Sequence, residues 1–122
     1  MFADSDFILA LIKNTDWLKE SAENILLKNK GKITTSLSVM IELALVLPRF
    51  NINILETYAN LNELIKIDKK TIEISMKAAL FIQEYNSNVF DSFHAASCKD
   101  EIIISSDSVY DKFGIERLKL GK

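Results

Sequence analysis

Apolar positions along the chain follow two alternating rhythms. Short apolar or β-branched runs give way to longer stretches in which apolar residues return every third or fourth place, the spacing of a helix with one buried face. Met1-Phe2-Ala3 opens as a strand, and residues 7–13 read as a short helix. Asn14, Thr15 and Asp16 are good cap residues for a second helix. In it Leu18, Ala22, Ile25 and Leu26 recur before Lys28, Lys30 and Gly31 stop it. Residues 32–35 form a second strand. Ser36 and Ser38 cap a helix over 39–47 that is apolar on almost every side except at Glu42, and Pro48 ends or bends it.

The same alternation continues to the end. Residues 51–60 read as a helix with Ile52, Leu55 and Ala59 on one side, and 64–67 as a third strand. Asp68 caps a longer helix in which Ile72, Met76, Ala79 and Gln83 recur, ending around 86–88. A helix of small residues opens at Asp91 and runs to Cys98. Ile102-Ile103-Ile104 is the clearest strand, an apolar run of the kind buried on both faces. A short helix near 109–113 and an edge strand within 115–120 complete the chain. Strands alternating with helices predict an α/β fold with a mostly parallel sheet of four to five strands, covered on both faces.

Composition narrows the class. A chain of 122 residues is one domain over 1–122, long enough to bury a core, and 48% apolar with 26% charged is ordinary for a soluble globular protein. Three Gly and one Pro leave little room for long irregular loops. No apolar run approaches the roughly 18–20 residues needed to cross a bilayer, so no membrane association is expected. No secretory leader is evident at the N-terminus. The lone cysteine, Cys98, cannot form an internal disulfide and fits a reducing, cytoplasmic setting. A net charge of −2 provides no overall basic field, so a bound nucleic acid would depend on local patches or on metal.

The candidate chemistry lies in the acids. In open parallel sheets ligands collect outside the carboxyl ends of the strands. Asp4 and Asp6 follow the first strand, and Asp107 follows the Ile102–Ile104 run. Glu42 lies about a turn into the helix after the second strand, and Asp91 opens the helix before the clearest strand. Convergence of these acids requires a strand order that chain direction does not give. Gathered together, like charges raise one another's pKa, and the cluster is stable as anions only with divalent cations in it. All-oxygen ligation selects magnesium or manganese. Such ions lower the pKa of bound water and stabilise the oxygens of a phosphoryl displacement. Ser5 and Ser106 stand beside the acids as neutral ligands or water-orienting groups. The residues by themselves indicate a metal-dependent phosphodiester or phosphate hydrolase.

The order and setting of the acids resemble the PIN domain. Its pattern of an Asp after the first strand, followed by small polar residues, stands here as Ala3-Asp4-Ser5-Asp6. Its Glu in the helix after the second strand is Glu42, preceded by Ser36 and Ser38. Its third acid, opening an Ala-rich helix, is Asp91 in Asp91-Ser92-Phe93-His94-Ala95-Ala96. Its final acid, in a Ser/Thr-x-Asp segment before an aromatic, is Asp107 in Ser105-Ser106-Asp107-Ser108-Val109-Tyr110. The resemblance implies a three-layer α/β/α sandwich and an endoribonuclease that uses Mg²⁺ or Mn²⁺ held by Asp4, Glu42, Asp91 and Asp107. The length is similar to the toxin half of VapBC-type toxin–antitoxin pairs, which implies an RNA substrate, a homodimer, and a small antitoxin whose tail enters the acidic site. Two features depart from the pattern. Asp6 replaces a usually neutral residue, and Asp111 competes with Asp107 for the fourth place, where Asp107 is favoured by its closeness to the strand end.

Each acid also has a simpler reading. Asp4, Asp91 and Asp107 suit helix caps, Asp6 suits that role better than Asp4, and Glu42, in so apolar a helix, is expected to be buried, in a cleft or bridged to a Lys. His94 reads as a core or helix-contact residue, Cys98 as a small buried hydrophobe and Asp68 as a cap. The lysines at 28, 30 and 32 and at 66, 69 and 70 read as solvated surface. Two other functions fit parts of the pattern: a degenerate PIN fold serving as an RNA-binding or protein-interaction module, and a phosphatase using Asp4-x-Asp6. The phosphatase lacks the Gly-Thr continuation and an evident catalytic Lys.

Overall fold

The computed structural model describes residues 1–121. Six α-helices carry most of the chain: α1 (Ser5–Ile12), α2 (Lys19–Lys28), α3 (Leu37–Val46), α4 (Ile54–Leu64), α5 (Lys69–Tyr85) and α6 (Val89–Cys98). Two short parallel strands, β1 (Ile103–Ser105) and β2 (Arg117–Lys119), flank a 3-10 helix, Ser108–Phe113.

Local chemistry sets the helix ends. Ser36 accepts from the Val39 amide to start α3, Asn53 from Glu56 to start α4, and Asn88 from Asp91 to start α6. Asp68 uses both carboxylate oxygens at the start of α5, one on the Thr71 amide at 3.0 Å and one on the Thr71 hydroxyl at 2.7 Å. Pro48 stands in a 3-10 turn, Leu47–Phe50, that ends α3, and Asn51 leaves it at φ 57°, a left-handed conformation that Asn tolerates. Asn53 rather than Asn51 starts α4, and the helix runs on through Leu64. The third strand expected over 64–67 is therefore reduced to a single paired residue, Lys66.

The sheet is thinner than the pattern predicts. Thr34 pairs in parallel with Phe2 on one side and Lys66 on the other. Ala3 N donates to Thr34 O at 2.7 Å, Thr34 N to Met1 O at 2.8 Å, and Lys66 N to Ile33 O at 2.7 Å. All five expected strand segments thus pair in parallel, but as two separate groups. Among the described residues no backbone hydrogen bond joins the Phe2 segment to β1. Among the described residues the strands do not join into one continuous four- to five-stranded ladder.

The expectation that Ile102–Ile104 is buried on both faces is overturned, since Ile104 is 66% exposed and Ile102 54%. β1 has a strand partner on one side only, and just Ile103 of the three packs inward, against Ala95, Tyr110 and Phe113. The main core lies elsewhere. α3 sits at its centre and packs against α1, α4, α5 and α6, with Met40, Leu43 and Ala44 fully enclosed. This explains why its sequence is apolar nearly all round. Ile8, Leu47, Tyr58, Leu61 and Phe93 close around it.

Candidate acidic site

Packing brings the acid-bearing elements into one succession. α1 packs on α3, α3 on α6, and α6 on the 3-10 helix Ser108–Phe113. Asp4 stands just before α1, Glu42 within α3, Asp91 near the start of α6, and Asp107 just before the 3-10 helix.

Each acid has its own setting. Asp4 is exposed and caps α1, with Oδ1 accepting from the Ser5 amide at 2.7 Å. Asp6, expected to be the better cap, lies inside the first turn instead, because the helix already begins at Ser5. Glu42 is exposed, and among the described residues its carboxylate has no hydrogen-bond or ion-pair partner. The expectation of a buried or bridged acid fails there: α3 is enclosed on its other sides, and Glu42 occupies the side that reaches solvent.

Asp91 is the most firmly held of the set. The helix cap is Asn88, not Asp91; Asn88 Oδ1 accepts from the Asp91 amide at 2.8 Å, and Asn88 Nδ2 donates back to Asp91 Oδ2 at 2.6 Å. The Tyr110 hydroxyl donates to Asp91 Oδ1 at 3.3 Å. Asp107 caps the 3-10 helix through the Val109 amide at 2.9 Å, and its own amide donates to Ser105 Oγ at 3.0 Å. Burial pushes the Tyr110 phenol above its ordinary pKa, and the Asp91 and Asp107 charges act in the same direction. Of the four acids Asp91 alone touches the Tyr110 hydroxyl, and among the described residues no hydrogen bond or ion pair links Asp4 or Glu42 to Asp91 or Asp107.

Asp111 is committed elsewhere. Arg117 grips it from β2, with Nε at 3.0 Å from Oδ1 and Nη2 at 3.2 Å from Oδ2. That hydrogen bonding holds the Asp111 carboxyl below the usual range. This favours Asp107 as the fourth acid. Arg117 also feels the Asp107 charge.

A hollow of about 280 Å³ opens beside Asp4 and Asp6, walled by Phe2, Phe7, Ile25 and Ile33. Two further hollows share Ile25 and continue between α1 and α2 past Leu18 and Ser21 to Trp17, which is 88% exposed. The hollow beside Asp4 and the one between α1 and α2 share Asp6, Phe7 and Ile25 and form a trough with mostly apolar walls and an acidic end, whereas the hollow toward Trp17 is lined mainly by polar side chains of α2.

The model of the PIN domain family matches residues 1–115. The chain belongs to the PIN domain family. No curated protein and no solved structure matches it. PIN domains are generally nucleases, typically using divalent metals, and their fold is of the α/β class.

The donor chemistry of this PIN domain, carboxylates alone, suits a hard cation such as Mg²⁺ or Mn²⁺. The arrangement is looser than the chemistry: among the described residues no three His, Cys, Asp or Glu side chains stand close enough to share an ion. Three of the acids have an oxygen engaged in capping or in the Asn88–Tyr110 contacts.

Sequence reasoning passed over Arg117 and the hydroxyl of Tyr110. Arg117 is brought to Asp111 by the pairing of β2 with β1, which no local spacing announces. Tyr110 was visible only as the aromatic of the last motif. Two lesser expectations also fail: His94 is exposed rather than packed, and Cys98 is half-buried with its thiol on the Glu101 carbonyl. No helix among the described residues is long and apolar enough to cross a membrane.

Proposed function

We propose that this PIN domain, over 1–122, is a metal-dependent endoribonuclease that hydrolyses RNA phosphodiester bonds. Its working acids are Asp4, Glu42, Asp91 and Asp107 with Mg²⁺ or Mn²⁺, on a layered α/β/α scaffold. The observation that carries the reading is that the four acids of the family pattern are all present, in order, on elements that pack in succession.

A hard divalent cation bound there would lower the pKa of a water and neutralise charge on the phosphoryl oxygens. The part played by the chain is to carry the four carboxylates on elements that pack one against the next. Asp91, held by Asn88 and Tyr110, and Asp107, which starts the 3-10 helix carrying Tyr110, would supply one half of the site, and Asp4 and Glu42 the other. The finer reading is the toxin of a VapBC-type pair, acting as a homodimer. The trough between α1 and α2 supports a small antitoxin as partner, since apolar walls ending at Asp4 and Asp6 suit a segment with apolar anchors and a cationic tip.

The test is cleavage of single-stranded and structured RNA with Mg²⁺ or Mn²⁺, repeated after chelation. Chelation is expected to abolish cleavage, and Asp4→Asn and Asp91→Asn each to lower it by about 10²-fold or more with the fold intact. Full cleavage by either variant at equal metal overturns the assignment. A second reading, an RNA-binding or protein-interaction module without catalysis, draws on the absence of a three-carboxylate group among the described residues. Equal RNA binding with and without metal, and no cleavage, would establish it.

A further inference from the structure

Both carboxylate oxygens of Asp91 have a side-chain donor, and the donors come from different elements. Asn88, which caps α6, holds Oδ2 at 2.6 Å; Tyr110, from the 3-10 helix that begins after Asp107, reaches Oδ1 at 3.3 Å. Tyr110 is only 6% exposed. Its ring packs with Ala95 and Phe113, and Phe113 in turn meets Phe81 at a tilt, with centroids 4.7 Å apart, and Tyr85 edge-on at 5.5 Å. The ring is therefore fixed by apolar packing that a phenylalanine would reproduce. The hydroxyl adds nothing to that packing, and a buried phenol needs a partner. Its partner here is a candidate catalytic carboxylate.

We infer that Tyr110 is a positioning residue: its hydroxyl fixes the orientation of the Asp91 carboxylate and ties the start of α6 to the turn that carries Asp107. A carboxylate turns over a broad, roughly two-fold torsional well, so one donor leaves it latitude and two donors on separate elements remove it. Partners of this kind, one step removed from the ion, typically matter by about 10–100-fold in metal affinity or activity. The inference rests on one part of the proposed function, that Asp91 holds a divalent cation.

The experiment compares the full chain with Tyr110→Phe and Tyr110→Leu, reading kcat and KM on RNA, Mn²⁺ affinity by calorimetry, and the thermal midpoint. Tyr110→Phe is expected to keep KM and to lower the midpoint only by the loss of one hydrogen bond, while lowering kcat about 10–100-fold and weakening Mn²⁺ binding in parallel. Tyr110→Leu is expected to lose kcat equally and to lose stability as well. Wild-type kcat and Mn²⁺ affinity in Tyr110→Phe, with losses confined to Tyr110→Leu, overturn the inference and leave the nuclease reading standing. A parent that binds Mn²⁺ without cleaving RNA sinks the nuclease reading alone, and the Mn²⁺ affinity of Tyr110→Phe then decides the positioning role. A parent that neither binds Mn²⁺ nor cleaves overturns both.

Discussion

Arg117 and Asp111 form a two-pronged ion pair, Nε at 3.0 Å and Nη2 at 3.2 Å, while the third nitrogen of the same guanidinium donates to the Ser105 carbonyl at 3.1 Å. One side chain thus joins β2 to the end of β1 and to the 3-10 helix. Only Arg has the planar fork for this, so Arg117→Lys is expected to lose the geometry while keeping the charge. The Arg117 hydrogen bond lowers the Asp111 pKa from its ordinary 3.8. A carboxyl whose folded pKa is depressed adds stability that is present above the ordinary value and is lost as pH falls through the folded one. Asp68, lowered by its bonds to Thr71, acts in the same window. Urea midpoints measured from pH 6 down to pH 2 should fall below about pH 4, and fall less steeply in Asp111→Asn.

Tyr58 is fully buried in α4, and its hydroxyl donates to the Met40 carbonyl of α3. Tyr58→Phe keeps the ring and removes that bond, with an expected cost of about 1 kcal/mol and no change in RNA cleavage. Burial raises the phenol above its ordinary pKa of 10.0. The sign is opposite to that of the carboxyls: the stabilisation is present below pH 10 and is lost as pH rises beyond it. Unfolding midpoints above pH 10 should fall in the parent and stay flatter in Tyr58→Phe.

Leu43 is fully enclosed in α3 at the centre of the main core. Leu43→Ala should lower stability by about 2–5 kcal/mol, the range for an enclosed leucine whose neighbours cannot all collapse onto the gap. A urea midpoint within error of the parent would show that α3 is not the centre of the core.

Helices were legible because their signals are local. Ser36 and Asp68 announce their helices by capping chemistry that needs only the next three residues, and the apolar character of α3 follows from being packed on four sides. Strands were legible in place but not in extent. Thr34 was found, yet that it pairs with both Phe2 and Lys66 is a contact between residues more than thirty positions apart, and the length of α4 decided how much of 64–67 was left over. Ile104 misled because an apolar triplet reports affinity for burial without reporting what covers it. For the site, residue identities were readable and their settings were not. The pattern picked out Asp91, but the grip of Asn88 and Tyr110 depends on how α6 meets the 3-10 helix. Glu42 was read as buried, in a cleft or bridged to a Lys because its neighbours are apolar, and it is exposed on the open side of its helix.

That open position makes Glu42 the sharpest test of the acidic site. Asp91 supports its helix start through Asn88, and Asp4 and Asp107 cap the elements they precede, so replacing any of them also changes a local contact even where the fold is kept. Glu42 has no such partner among the described residues. Glu42→Gln keeps size and helix propensity and removes only the charge, so the thermal and urea midpoints should stay at the parent values. RNA cleavage in Mn²⁺ should nevertheless fall by about 10²-fold or more, since a set of oxygen ligands short of one carboxylate holds a hard cation less well. Unchanged cleavage alongside unchanged stability would remove Glu42 from the site and leave Asp4, Asp91 and Asp107 to carry it.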